Sequence, residues 1–365
     1  MRGLLFSLLL LAPAVSHSAL ASGSGRTGAN FLRIGVGPRP AGMGEAFVGL
    51  ADDVNAVGYN PAGLSLLSRQ ELTFMHNEYF AGVRQEWMAY AVPSEKFGTV
   101  ALSANLVQVE AFSGFDQNDQ PTAETSASDS AYGAAWGKRW GPIGAGAGVK
   151  FIRSRLDQNR SSAAALDAGL LYDTDLDGLR AGLSVQNLGS KARFISEDYD
   201  LPRSVRAGVS YKPFGRKPRD RGDLTLLADM AAYGDEDPYV SVGGEYLWSD
   251  LMAFRTGWRS DSESGTGLSF GVGLYFNHGG SSTRPELIFD YAFVDFGLLS
   301  HVHRAAFTLK FGKPAGKPRS ASSEKDARPR RSRRAAAPEP KIGEETVPEQ
   351  PARVPPAAEE GIWVR

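Results

Sequence analysis

Three short patterns in this sequence put reactive side chains at spacings that chemistry can use. Gly267-Leu268-Ser269-Phe270-Gly271 matches G-x-S-x-G, where a serine on a sharp strand-to-helix turn becomes a nucleophile. Asp173-Thr174-Asp175-Leu176-Asp177-Gly178 copies the opening of a calcium loop, whose alternate carboxylates converge on one ion. His301 and His303 form an H-x-H pair on one strand face, which can begin a metal site. Each lacks a second requirement. The alternation Leu268, Phe270, Val272, Leu274 runs through the serine motif and makes it strand, with the small residues on the other face. The twelfth position of the acidic loop, where a bidentate acid belongs, is Ser184, so the segment reads as an acidic turn. No acid or third histidine accompanies the H-x-H pair, which is expected in the lumen or at the rim of whatever its strand builds. Glu71, His76 and Glu86 show no catalytic spacing, and no Gly-rich phosphate loop precedes a helix. The expectation is a non-enzyme with no cofactor and no metal.

The elements that carry these residues are more informative. From about Gln70 to Phe311, runs of roughly ten residues alternate apolar with small or polar, broken by turn residues. Ile143, Ala145, Ala147, Val149 and Phe151 alternate with Gly144, Gly146, Gly148 and Lys150. Successive strand side chains point to opposite faces, so one face is oily and the other compact. The pattern predicts about fourteen strands, near 70–77, 85–93, 97–109, 127–139, 142–154, 161–173, 178–187, 203–212, 222–231, 239–248, 250–259, 266–277, 285–296 and 301–311. An even number suits a transmembrane antiparallel β-barrel. With the oily face outward, the charges Lys150, Asp167, Arg180, Arg206, Asp229, Glu245, Arg255, Asp290, Arg304 and Lys310 all fall inward. Arg or Lys facing lipid near midplane costs ~2–4 kcal/mol, so hydrocarbon enforces that sorting. With both ends of the barrel periplasmic, the connections around 110–126 and 188–202 fall outside and are the longest, as external loops should be.

The flanks differ from this array. Arg2, the apolar stretch Leu4 to Val15 and Ala19-Leu20-Ala21 read as a secretory signal peptide over 1–21. After it, no segment reaches the ~18 consecutive apolar residues of a spanning helix. The chain has no cysteine, which excludes a lipobox, disulfides and thiolate metal sites. Net charge is −1, so nucleic acid is not an expected partner. Residues 313–365 carry twelve Lys/Arg against eight Asp/Glu with too little apolar content to fold, and read as a disordered periplasmic tail. Its densest run, Arg328 to Arg334, suits contact with peptidoglycan or an anionic envelope component.

Residues 22–69 are Gly-rich and do not alternate. Gly28-Ala29-Asn30-Phe31-Leu32-Arg33-Ile34-Gly35, Ala41-Gly42-Met43-Gly44-Glu45-Ala46-Phe47, Ala51-Asp52-Asp53-Val54-Asn55-Ala56 and Tyr59-Asn60-Pro61-Ala62-Gly63-Leu64 resemble the amino-terminal signature of PorV/PorQ-type outer-membrane proteins, relatives of FadL-type fatty-acid transporters. Gln186-Asn187-Leu188-Gly189, Asp290-Tyr291-Ala292-Phe293 and His303-Arg304-Ala305-Ala306-Phe307 agree with it, so the resemblance spans roughly 28–312. It implies a fourteen-stranded barrel over 70–312 whose segment 22–69 folds inward as a hatch, with Asp52, Asp53, Asn60, Pro61 and Ala62 as hatch residues. Pro61 fixes its own φ and pushes Asn60 out of helix, and the Asn60 amide suits backbone exposed in a lumen.

The resemblance implies an outer-membrane location in a Gram-negative-type bacterium, in contact with outer-membrane lipid, and two possible tasks. FadL-type members carry hydrophobic small molecules inward. PorV-type members belong to the type IX secretion system and handle exported proteins at the surface. Phe112 and Phe115, in the expected loop 110–126, would contact ligand in the first case and a surface protein in the second.

Overall fold

The computed structural model describes residues 27–115, 118, 120–194, 197–215, 222–261, 265–277 and 284–315. Residues 1–21, expected as a signal peptide, and nearly all of the basic tail lie outside the described residues. Fourteen strands form one closed antiparallel barrel. They are β1 (Gln70–Glu78), β2 (Val83–Ser94), β3 (Gly98–Phe115), β4 (Pro121–Trp140), β5 (Ile143–Leu156), β6 (Asn159–Asp173), β7 (Leu179–Gly189), β10 (Ser204–Tyr211), β11 (Asp223–Tyr233), β12 (Tyr239–Trp248), β13 (Met252–Arg259), β14 (Leu268–Phe276), β15 (Glu286–Asp295) and β16 (His301–Phe311). Closure comes from β1 pairing with β16, in a register running from Gln70↔Phe311 to Glu78↔His303. A small extra hairpin, β8 (Ala192–Phe194) with β9 (Glu197–Tyr199), sits in the connection after β7. The expected fourteen strands are all present.

Side-chain sorting across the wall is inverted relative to a soluble protein. Phe74, Leu102, Val149, Leu170, Phe270 and Phe307 are exposed on the exterior. Arg206, Asp229, Glu245, Arg255, Asp290 and Arg304 are buried inside. Lys150 pairs with Asp167, Arg180 with Asp173 and Lys310 with Glu71 on the same inner face. Such an exterior is stable only against hydrocarbon, since each exposed apolar side chain would lose its burial energy in water. Phe270→Arg on that exterior is therefore expected to cost ~2–4 kcal/mol. Leu298→Arg, in the turn before β16, should cost nothing measurable. The midpoint at which the folded, fast-migrating band is lost in urea checks both.

One expectation needs correction. Residues 110–126 are not mainly a loop: β3 and β4 run on through most of the segment as a hairpin, with register shifts between Val109 and Phe112 and between Ser113 and Phe115. Phe112 pairs with Thr125 and Phe115 with Pro121, so both belong to β3; their side chains lie outside the described residues. Beyond the membrane neither face of a hairpin must be oily, so the alternation that marks strands elsewhere fades here. By the strand bounds the 190–203 connection is the longest at that end, and it contains the β8–β9 hairpin. We call the end bearing the β1–β2 and β15–β16 turns the outer end.

Residues 27–69 fill the lumen. A 3-10 turn (Asn30–Arg33) is followed by short helices at Pro38–Ala41 and Ala56–Tyr59 and a 3-10 segment at Pro61–Leu66. Gly37, at φ 82, makes the entry that Pro38 then starts as a helix. Met43, Phe47, Val48, Leu50, Val54, Tyr59 and Leu64 are fully buried, so the core of this protein is the plug against the wall. Inward glycines make that contact possible. A Cβ on Gly146 would overlap the Pro61–Ala62 backbone, and one on Gly257 would overlap Met43 and Gly44. Alternating small residues inside the barrel are therefore the seat of the plug, not spare lumen.

Candidate functional site

Two layers of inward charge meet the plug. Toward the inner end, Arg39 donates from Nη1 to Asp52 at 2.6 Å and Asp53 at 2.8 Å. Its Nε and Nη2 grip Glu245 in a two-pronged pair, both at 2.8 Å. Glu245 also accepts from Arg255, which reaches Asp290 at 2.6 Å and the Tyr275 hydroxyl at 3.1 Å. The plug backbone is pinned as well: Phe47 and Val48 N–H both donate to Asp229 at 2.7 Å, and Val54 N–H to Glu71 at 3.0 Å. Charged groups taken from water need this degree of pairing. Plug and wall are joined by an ionic network centred on Arg39 and Glu245, and apart from it by plug N–H groups donating to the wall carboxylates Asp229 and Glu71.

Burial alone would raise the Asp52 carboxyl, but Arg39 and then Lys212 overcome it and hold it below its ordinary value of 3.8. For a carboxyl depressed in the folded state, the stabilisation is present above that ordinary value and lost as pH falls through the lower, folded one. The Asp52–Arg39 contact is thus expected to hold from neutral pH down to 3.8 and to give way only in stronger acid. Protease cleavage next to Asp52, followed across a pH series with an acid-active protease, should stay absent until then.

Asn60 is fully buried. Its Nδ2 donates to Val48 O at 3.0 Å and to Leu170 O on β6 at 3.1 Å, and its Oδ1 accepts from Ala62 N–H at 3.2 Å. Pro61 opens the 3-10 segment, so Asn60 and Pro61 turn the chain where it meets the wall. Asp52, Asp53, Asn60, Pro61 and Ala62 all lie in the plug, but not at one point: the acids meet Arg39 and Glu245, whereas Asn60 meets β6.

The outer end holds a partly open cavity of about 250 Å³. Arg33, Arg259 and Arg304 line it with Glu45, Tyr79 and Phe296. Glu45 takes Arg259 at 3.0 Å and Arg304 at 3.4 Å, while Arg304 also donates to Gly35 O at 2.9 Å. Arg33 is paired with Asp235 and Glu236 in the β11–β12 turn. Tyr79, Phe80 and Phe296 pack as an aromatic trio, with Phe80 at 4.3 Å from Tyr79 and Phe296 at 5.4 Å. Burial raises the Tyr79 hydroxyl, so it stays a neutral donor. Spacing along the chain did not single out this cluster: its members come from the plug, the β1–β2 turn, β13, the β15–β16 turn and β16. The inward assignment of Arg304 was its one visible sign.

The short motifs serve packing. Ser269 faces inward and accepts the Gly44 N–H at 3.0 Å, so the G-x-S-x-G serine seats the plug. Asp173 is held by Arg139 and Arg180, an acidic turn tied to its own wall. His301 and His303 face outward at the rim rather than into the lumen, beside Asp295 at 3.5 Å and the Tyr291 hydroxyl at 2.6 Å. His76 and Glu86 pair on the exterior at 2.7 Å.

A family model described as Uncharacterised protein family (UPF0164) matches residues 11–197, just over half of the chain. Among solved structures, the toluene transporter TbuX of Ralstonia pickettii is similar at 14% identity and a TM-score of 0.51, covering 76% of this chain and 99% of its own. A monoaromatic hydrocarbon channel, the TodX deltaS2S3 mutant, is similar at 11% identity and a TM-score of 0.50, covering 76% and 99%. At these identities the likeness shows the fold alone, a closed β-barrel. No curated protein matches the chain.

Proposed function

This chain belongs to the Uncharacterised protein family (UPF0164), and we propose that it is an outer-membrane barrel of PorV/PorQ, FadL-like type that carries small hydrophobic molecules across the outer membrane through a hatch-gated lumen. The observation that supports this best is the outer cavity itself, which opens onto plug residues Ile34, Gly35 and Glu45, so a molecule entering it meets the gate directly. The oily exterior supports the membrane setting. The two neighbours are named as a toluene transporter and a monoaromatic hydrocarbon channel, which favours hydrophobic cargo on a non-enzymatic barrel. Cells expressing the chain should take up radiolabelled toluene faster than cells with an empty vector. Equal uptake overturns the reading.

A second reading has its own support. The β3–β4 hairpin pairs beyond the ends of β2 and β5. In a type IX secretion-type accessory barrel this projection, including Phe112 and Phe115, would bind exported proteins. Co-purification of a stoichiometric exported protein from mild detergent would favour that role over transport. For the basic run Arg328 to Arg334, outside the described residues, we propose contact with peptidoglycan or an anionic envelope component on charge alone. Unchanged envelope integrity after deletion of 313–365 removes it.

A further inference from the structure

We propose that the exterior of β5 and β6 at the outer end binds the phosphate headgroup of an outer-leaflet membrane lipid, through Arg153, Arg155 and Arg160. The inference is independent of what the lumen carries and rests only on the barrel standing in the outer membrane. Strand alternation sets the three side chains on the lipid-facing side. Val149, Phe151, Arg153 and Arg155 follow one another on the outward face of β5, and Arg160, Ser162 and Leu166 lie on that of β6. Pairing across the hairpin puts Arg155 directly opposite Arg160 and Arg153 opposite Ser162. On the other side, Ser130 of β4 stands opposite Arg153 and Ser128 opposite Arg155. All three arginines are exposed. The patch is three guanidiniums bordered by three hydroxyls, with no carboxylate among its cross-strand neighbours.

Like charges directly opposite on a sheet repel, so Arg155 and Arg160 weaken their own hairpin until an anion lies between them. Other cations on the exterior of this end are matched within the chain. Arg84 pairs with Glu110, His76 lies 2.7 Å from Glu86, and His301 lies 3.5 Å from Asp295. Arg153, Arg155 and Arg160 form no ion pair among the described residues. Arg153 lies over its neighbour Phe151 at 5.0 Å, and Arg155 Nε donates to the Asp157 backbone oxygen at 2.8 Å. Their terminal nitrogens remain for an acceptor from outside the chain. Depth chooses that acceptor. Arg153 follows Ile143, at the inner end of the same face, by ten residues. At ~3.4 Å per residue and a tilt of about 40°, that is ~26 Å along the barrel axis, against an apolar band ~25 Å tall. The guanidiniums thus stand where hydrocarbon gives way to headgroups, directly above the exposed rings of Tyr132 and Phe151. A lipid phosphate brings oxygens for the planar forks and acyl chains for the rings below them, whereas a free anion brings only the first.

Native mass spectrometry of the full chain in mild detergent, titrated with phosphatidic acid and with phosphatidylcholine of the same acyl chains, tests this. Phosphatidic acid is expected to be held about tenfold more tightly, the increment of a hydrogen bond to a charged group. The triple variant Arg153→Gln, Arg155→Gln, Arg160→Gln should lose that preference. Arg84→Gln, at an exterior arginine that already has its acid, should keep it. Equal retention of the two lipids by the unmodified chain overturns the proposal without any variant having to fold. So does a preference that survives the triple variant, or one that inorganic phosphate at equal concentration abolishes, which would mark a site for free anions.

Discussion

Gly146→Ala is expected to dislodge the plug, while Gly148→Ala, two residues along the same inward face of β5, leaves it seated. A methyl group on Gly146 would overlap the Pro61 carbonyl carbon and the Ala62 nitrogen, both backbone atoms that cannot swing aside. The same methyl on Gly148 would meet the Ala134 carbonyl oxygen and the Ala135 Cβ at 3.5 Å, an ordinary contact. Overpacking a tight core costs ~1–3 kcal/mol, and more where backbone is the obstacle. Because the chain has no cysteine, a single Ala56→Cys in the fully buried part of the plug gives a unique reporter. Maleimide should label it in the Gly146→Ala background and not in the Gly148→Ala background. Equal protection in both would mean that the glycine wall does not seat the plug.

Arg39→Met should loosen the plug from the other side. The substitution keeps most of the side-chain volume and removes the charge that Asp52, Asp53 and Glu245 share. Glu245 keeps Arg255, so the loss falls on the two plug carboxylates. Removing one partner of a buried ion pair costs ~3–5 kcal/mol, because the other charge stays behind unpaired. Arg39 is 13% exposed, which keeps solvent from screening much of that loss. The expected result is rapid labelling at Ala56→Cys together with an intact, heat-modifiable barrel, since the strand ladders do not pass through Arg39. Arg39→Lys should restore partial protection, as a point charge reaches fewer of the three acids than a planar fork does. A barrel that itself fails to fold would instead show that plug and wall form one cooperative unit.

Some of the candidate site was visible beforehand. The inward placement of Arg255, Glu245, Asp229, Asp290 and Arg304 followed from strand alternation alone, and these residues anchor the plug or line its cavity. Asp52 and Asp53 were picked out through resemblance, but their partner Arg39 was not. Glu45, Arg33 and Arg259 were equally silent, each unremarkable within its own segment. The β8–β9 hairpin was missed because three-residue strands carry no usable period.

What the amino-acid order determined by itself was the wall: which residues extend, which face is oily, and that mid-strand charges such as Asp229, Arg255 and Asp290 look inward. Those properties are local, because alternation has a period of two and hydrocarbon penalises each misplaced charge one residue at a time. What tertiary structure alone decided was the use of the interior. Closure of β1 on β16 brought plug residues against strands up to 269 positions away, as in the Arg304 to Gly35 hydrogen bond. Ion pairing and close backbone contact across such separations leave no periodic trace, so the plug seat and the outer cavity emerged only when the ring was closed.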